Sequence, residues 1–148
     1  MAEKKISQLT AKGSNLEETD LLIISKSDGS GGYDSKYITG AELKSLTVNT
    51  QTNSYTFVLT DANKLVELNN AATKTFSLPV SSVANFPIGT KIKVAQLGAG
   101  QLRIAAVAGT GAQTINSCCG SKISAQYGVA TLLKRATDEW YLYGDLTT

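Results

Sequence analysis

The chain has no histidine, one tryptophan, one methionine, two prolines and two cysteines among its 148 residues. Without histidine, a serine or cysteine nucleophile has no imidazole to take its proton, and a zinc site lacks its usual nitrogen ligand. The cysteines do not restore a metal site, because Cys118 and Cys119 are neighbours and no spaced pair exists. A disulfide between neighbours demands a strained eight-membered ring, so the sequence predicts two reduced thiols in a turn and a reducing compartment during folding. No metal and no cofactor is expected.

Charge is scarce as well. Charged residues make up 18% of the chain, with fourteen basic against twelve acidic and a net charge of +2. That balance shows neither the basic footprint of a nucleic-acid binder nor an acidic steering field. Long apolar runs are missing: stretches such as residues 21–24 and 129–133 are far too short to span a bilayer. The start, Met1-Ala2-Glu3-Lys4-Lys5, is polar and is followed by scattered apolar residues, which is not the pattern of a secretory signal. Neither nucleic acid nor membrane is expected as a partner.

What the chain does have is thirteen glycines, a 42% hydrophobic fraction and many Thr, Ser, Ala and Val residues, a composition that suits short strands joined by turns. The expected class is all-β. Residues 54–148 read as an antiparallel β-sandwich or barrel-like domain of about eight or nine short strands.

The most regular stretch is 86–106. Ile92, Val94 and Gln96 point one way while Lys91, Lys93 and Ala95 point the other, and Leu102/Ile104 alternate with Arg103/Ala105 after Gly98-Ala99-Gly100. This predicts a β-hairpin with one dry face and one basic face of Lys91, Lys93 and Arg103, its tip glycines supplying positive φ angles. Pro87 is expected at the second position of the entry turn and Gly89 at the fourth. A phosphate-binding reading of the glycines fails, since no third glycine and no helical pattern follow. Elsewhere Tyr55, Phe57 and Leu59 alternate, Asp61-Ala62-Asn63 turns, and Val66 and Leu68 lie on the return. Phe76 and Leu78 make a strand stopped by Pro79, Thr114-Ile115 a short one, and Cys118-Cys119-Gly120 a bend. The last two strands, 127–133 and 140–143, join through Thr137-Asp138-Glu139.

Residues 1–47 read differently. Ile6, Leu9 and Leu16 are isolated in polar surroundings, Leu21 and Leu22 open a short strand, and residues 33–38, ending in Ile38, form a return strand. Thr39 and Glu42 have capping-box spacing, opening one short helix from Leu43 to Leu46. This small strand and short-helix segment cannot bury much, so a partner is expected to order it, through Ile6, Leu9, Leu16, Leu21, Leu22, Ile38 and Leu43. Residues 48–53, rich in Asn, Thr and Gln, read as a linker.

The aromatic residues Tyr127, Trp140, Tyr141 and Tyr143 are the candidate contact residues. Tyr141 and Tyr143 share one face of a strand and Trp140 and Leu142 the other, so one pair belongs to the core and the other to a subunit contact or a sugar-stacking platform. The carboxylates of this region, Asp61, Glu67, Asp138, Glu139 and Asp145, fall in turns or on outward strand positions, whereas a glycosidase needs two facing each other across a cleft. No catalytic residue is assigned, and no enzyme is expected.

The order Tyr55-x-Phe57-x-Leu59-x-Asp61, Val66-x-Leu68-Asn69, Leu78-Pro79, then the stretch 86–100, and finally Ala130-Thr131-Leu132-x-Lys134 before Trp140-x-Leu142-x-Gly144-Asp145-Leu146 resembles the C-terminal domain of tailed-bacteriophage fibre and appendage proteins. Lys5-Ile6-Ser7-Gln8-Leu9, with Asp20-Leu21-Leu22 and Tyr37-Ile38-Thr39-Gly40-Ala41-Glu42-Leu43, is similar to the N-terminal virion-attachment segment of phage head or tail fibres. The resemblance implies a virion structural protein, made in the bacterial host cytoplasm and assembled as a homotrimer. Its N-terminal segment would hold a capsid, neck, tail or baseplate protein, and its β-rich knob would project towards host-surface polysaccharide. The chain departs from a receptor-binding fibre in having only a short linker where a long shaft belongs, which favours a compact fibre or capsid decoration protein. The alternative is a carbohydrate-binding module in which Trp140, Tyr141 and Tyr143 stack sugar rings.

Overall fold

A computed structural model describes residues 21–27, 33–39 and 45–148, and the chain divides into two compact units, Met1–Ser45 and Leu46–Thr148. In the first unit, β1 (Leu21–Ser27) and β2 (Tyr33–Thr39) form an antiparallel hairpin with Leu22 opposite Ile38 and Ile24 opposite Lys36. The expected docking residues Ile6, Leu9, Leu16 and Leu43 lie outside the described residues, as does most of the expected short helix. Ser45 and Leu46, where that helix was to end, have no regular structure.

The second unit is all-β. Its strands are β3 (Val48–Gln51), β4 (Tyr55–Thr56), β5 (Leu65–Leu68), β6 (Lys74–Leu78), β7 (Lys91–Gln96), β8 (Leu102–Ala106), β9 (Thr114–Asn116), β10 (Lys122–Ile123), β11 (Val129–Ala136), β12 (Glu139–Gly144) and β13 (Leu146–Thr147). A single 3-10 turn at Leu59–Asp61 is the helical content of this unit. The strands form a six-stranded sheet, β3-β5-β7-β11-β12-β9, and a five-stranded sheet, β13-β10-β8-β6-β4. Residues 48–53, read as a linker, thus contribute an edge strand.

Both sheets are mixed rather than purely antiparallel. β3, β5 and β7 run parallel in one sheet, and β4, β6 and β8 run parallel in the other. The chain therefore winds through three coils, each a strand in one sheet, a corner, and a strand in the other. Leu65 pairs with Lys93 and Phe76 with Ile104, the same offset in both sheets, so the corners after β5 and β7 are equally long and stack. The amides of Leu97 and Gly98 both donate to the Leu68 carbonyl, and the Gly100 amide donates to that of Asn70. After the third coil the pairing is antiparallel except at β9, which runs parallel to β12: β11 lies beside β7, β12 beside β11, β10 beside β8 and β13 beside β10.

The expected β7–β8 hairpin is therefore not formed: the two strands belong to different sheets, and Gly98-Ala99-Gly100 is the corner between them. Neither Gly98 nor Gly100 has a positive φ. They are glycines because the preceding coil presses on them. A Cβ at Gly98 would overlap the backbone of Asn70, and one at Gly100 that of Ala72. The same crossing separates β4 from β5, where a 3-10 turn replaces the expected hairpin. The entry turn to β7 is shifted by one residue: the Thr90 amide donates to the Pro87 carbonyl at 3.1 Å, so Pro87 is first and Gly89, at φ 90°, third.

The inward faces of the two sheets enclose one core. Phe57, Phe76, Ile92, Leu102, Leu132 and Trp140 are among its fully buried side chains, or nearly so. Tyr55, Phe57 and Phe76 meet edge to face at centroid distances of 5.9 to 6.1 Å, and Phe86 meets Trp140 likewise at 5.5 Å. A cation enters this core: Lys134 lies 5.9 Å over the Trp140 ring and donates to Asn85 Oδ1 at 3.3 Å. No carboxylate among the described residues pairs with it.

Candidate functional site

The site grows from β12. A two-residue connection, Thr137-Asp138, joins it to β11, with Asp138 in the left-handed region at φ 56°. Register then places Tyr141 opposite Leu133 and Tyr143 opposite Thr131. The two-residue period of the strand buries Trp140 and Leu142, at 0% and 2% exposure, and turns Tyr141 and Tyr143 outward at 43% and 48%. Trp140 is thus a core residue and not a contact residue. Its indole N–H donates to Gln113 Oε1 at 2.9 Å, and the Gln113 amide donates to the Gly111 carbonyl and to Asp138 Oδ1. The buried indole is fully satisfied, as an interior tryptophan must be.

Tyr127 precedes β11 in a loop, at φ 67° and 71% exposed, with its amide donating to the Gln96 carbonyl at 2.7 Å. A left-handed backbone at an aromatic residue is rare, and here it leaves the ring in solvent. It does not line the groove described next.

β9 lies along the free side of β12 in parallel, with Asn116 beside Tyr141. Where the chain leaves the end of β9 and β12 runs on unpaired, a surface groove of about 440 Å³ opens, lined by Asn116, Ser117 and Cys118 on one side and by Tyr141, Leu142 and Tyr143 on the other. A second hollow of about 380 Å³, with Ile104, Ile115 and Ser121 in its lining, adjoins the same loop. In that loop Cys118 and Cys119 are joined as a disulfide between neighbours, against the expectation of two free thiols. The bend from Ser117 to Gly120 folds the chain tightly enough for the neighbouring sulfurs to meet. Ser117 Oγ accepts the Cys119 amide at 3.3 Å, and Gly120 takes φ 99°.

Arg135 braces the site. A β-bulge between Lys134 and Ala136 leaves Arg135 without a partner on β12, and its guanidinium lies 5.6 Å over the Tyr141 ring. It also pairs with Glu139 four residues on. The Tyr141 phenol, and after it the Glu139 carboxylate, favours the charged guanidinium and raises its pKa further above the usual value.

The basic face expected from Lys91, Lys93 and Arg103 does not exist as one surface. Lys91 and Lys93 point outward from the six-stranded sheet and Arg103 from the five-stranded sheet, on opposite sides of the core, because their strands were separated at the glycine corner. The carboxylates have structural partners. Asp61, expected in a solvated turn, is buried and accepts from Asn49 Nδ2, the Tyr55 hydroxyl and the Val58 amide, each at 2.9 Å. Burial, and after it the bond to Asp61, raises the Tyr55 phenol above its ordinary pKa. Glu67 accepts from Thr50, Asp138 from Gln113 and Asp145 from the Val129 amide. Among the described residues no three His, Cys, Asp or Glu side chains are grouped to hold a metal, and no helix is long and apolar enough to cross a membrane.

Of the expected contact residues, the structure brings together Tyr141 and Tyr143, sends Trp140 inward and leaves Tyr127 apart. Asn116, Ser117 and Cys118 were not foreseen as their neighbours. The parallel pairing of β9 with β12 places them there across more than twenty residues of chain, and no local pattern carries that signal. No model of a known protein family matches the chain, and no curated protein matches it.

Proposed function

We propose that the protein is a bacteriophage virion structural protein, a short fibre or decoration protein. Its residues 1–45 dock on a capsid, neck, tail or baseplate protein, and its residues 46–148 project as a homotrimeric β domain that contacts the host surface. The observation that carries this reading is the division of the chain into two units. The described part of the first is a two-stranded hairpin, which alone is marginal in water, whereas the second winds two sheets around its own aromatic core. The fibre-like order of motifs in both units supports the same division. Docking would order the first unit by mass action, and three copies of the second would give multivalent contact.

Self-association fits best at the β3 edge of the six-stranded sheet. Leu46 and Val48 are 42% and 52% exposed there, apolar side chains that three copies would bury against one another around a three-fold axis. The opposite edge, β9, carries the tyrosine groove and stays free. Particles assembled with a chain lacking residues 1–45 test the docking role. The truncated chain is expected to be absent from purified particles that take up the full-length chain, and equal uptake of both would overturn it.

A further inference from the structure

We propose that the groove beside β12, past the end of β9, is a saccharide subsite. In it Tyr141 and Tyr143 pack against the C–H face of a neutral pyranose, while Asn116 and Ser117 hydrogen-bond its hydroxyls. The biological setting rests on the β domain being the outward part of the protein, but the binding itself is read on the purified chain, so the two readings fail separately.

The lining selects the ligand class. It combines two exposed phenol rings, an amide and a hydroxyl, with no charged side chain among the six residues. A phosphate, a nucleotide or an acidic sugar would need a cation in the lining; Lys91, one strand beyond Leu133, belongs to the same outer face but does not line the groove. An acyl chain would leave the Asn116 amide unpaired against hydrocarbon. A pyranose has what the groove offers partners for: a face of C–H bonds that rests on an aromatic ring, and a rim of hydroxyls that both donate and accept. At about 440 Å³ the groove lies in the range of small-molecule sites and holds one or two sugar rings.

Hydrogen-bonding groups are available in the lining, and the Tyr141 ring is held in place. Neither the Asn116 amide nor the Tyr143 hydroxyl makes a side-chain hydrogen bond to another described residue, whereas the Tyr141 side chain is held by Arg135 and serves the ligand with its ring. Ser117 Oγ accepts one bond from Cys119 and keeps its own hydrogen to donate. Arg135 lies over the Tyr141 ring without lining the groove, and its charge is matched by Glu139, so the ring is braced from a side the ligand does not use. A site whose aromatic wall is already ordered loses less entropy on binding.

The test uses the full-length protein in saturation-transfer NMR with methyl glycosides of glucose, galactose, mannose and N-acetylglucosamine, alongside glucuronate and a Gly-Gly dipeptide. At least one neutral glycoside is expected to receive saturation on the protons of one ring face. Tyr141→Ala and Tyr143→Ala are each expected to weaken it about tenfold, Asn116→Ala severalfold and Tyr141→Phe much less. Thermal melts of the same variants check that they remain folded. The proposal is overturned if no neutral glycoside receives saturation, if only glucuronate or the dipeptide does, or if folded Tyr141→Ala and Tyr143→Ala proteins bind as the parent does. It is also overturned if those two variants fall apart into smaller assemblies by light scattering, because the tyrosines are then a subunit contact.

Discussion

The two outward faces of the β domain obey one pleat and differ in chemistry. Across the five-stranded sheet runs a row of Thr147, Lys122, Arg103 and Thr75, entirely polar and with two cations directly opposed. Across the six-stranded sheet runs Val48, Leu65, Lys93, Thr131 and Tyr143, and beside it Lys91, Leu133, Tyr141 and Asn116. Solvation alone accounts for the first face. It does not account for two half-exposed tyrosines and an exposed valine on the second, since threonine or lysine would satisfy the pleat equally well. On the reading proposed above the difference is one of use: both sheets close the core, and the six-stranded sheet would also present the contact surface.

The largest expected effect removes the interior that both faces share. Trp140→Ala should destabilise the domain by about 3–5 kcal/mol in urea unfolding, by cavity formation and by leaving Gln113 without its indole partner. Next comes the corner that sends β7 and β8 to opposite faces. Gly98→Ala places a methyl group against the Asn70 backbone and should cost about 1–3 kcal/mol, whereas a true hairpin tip would accept alanine at a non-left-handed position with little loss.

A smaller effect appears in alkali. The Tyr55 phenol has its folded pKa raised above the unfolded value, so the folded state holds the proton more tightly. That stability is fully present below the unfolded pKa and is lost as pH rises through the folded one. Stability should therefore decline above about pH 10, and Tyr55→Phe should flatten that decline. The smallest effect sharpens the comparison itself. Tyr143→Thr gives the six-stranded face the chemistry of the other, and its unfolding free energy should stay within about 0.5 kcal/mol of the parent, which would place the role of the ring outside folding.

Much of the strand pattern was legible in the sequence because period-two alternation is a local signal. Ile92, Val94 and Gln96 face inward, Lys91 and Lys93 outward, and Trp140 with Leu142 separates cleanly from Tyr141 with Tyr143. Which sheet each strand joins was not legible from alternation, since a glycine pair suits a hairpin tip and a crowded corner alike. The discriminating signal was a repeat: Val66, Ala71 and Phe76 recur at the same offset as Val94, Ala99 and Ile104, the mark of stacked coils. Missing that repeat joined Arg103 to Lys91 and Lys93 in one basic face. Asp61 escaped for a different reason: in a turn a carboxylate is ordinarily solvated, and only the return of Asn49 and Tyr55 to the same place buries it.

The division of labour between the two units is tested most directly by the solution mass of the full-length protein beside residues 46–148, measured by light scattering. Two trimers are predicted, with the β domain carrying assembly and residues 1–45 left to dock. A monomer in both would contradict the account and leave the tyrosine groove as the site of a monomeric binding module.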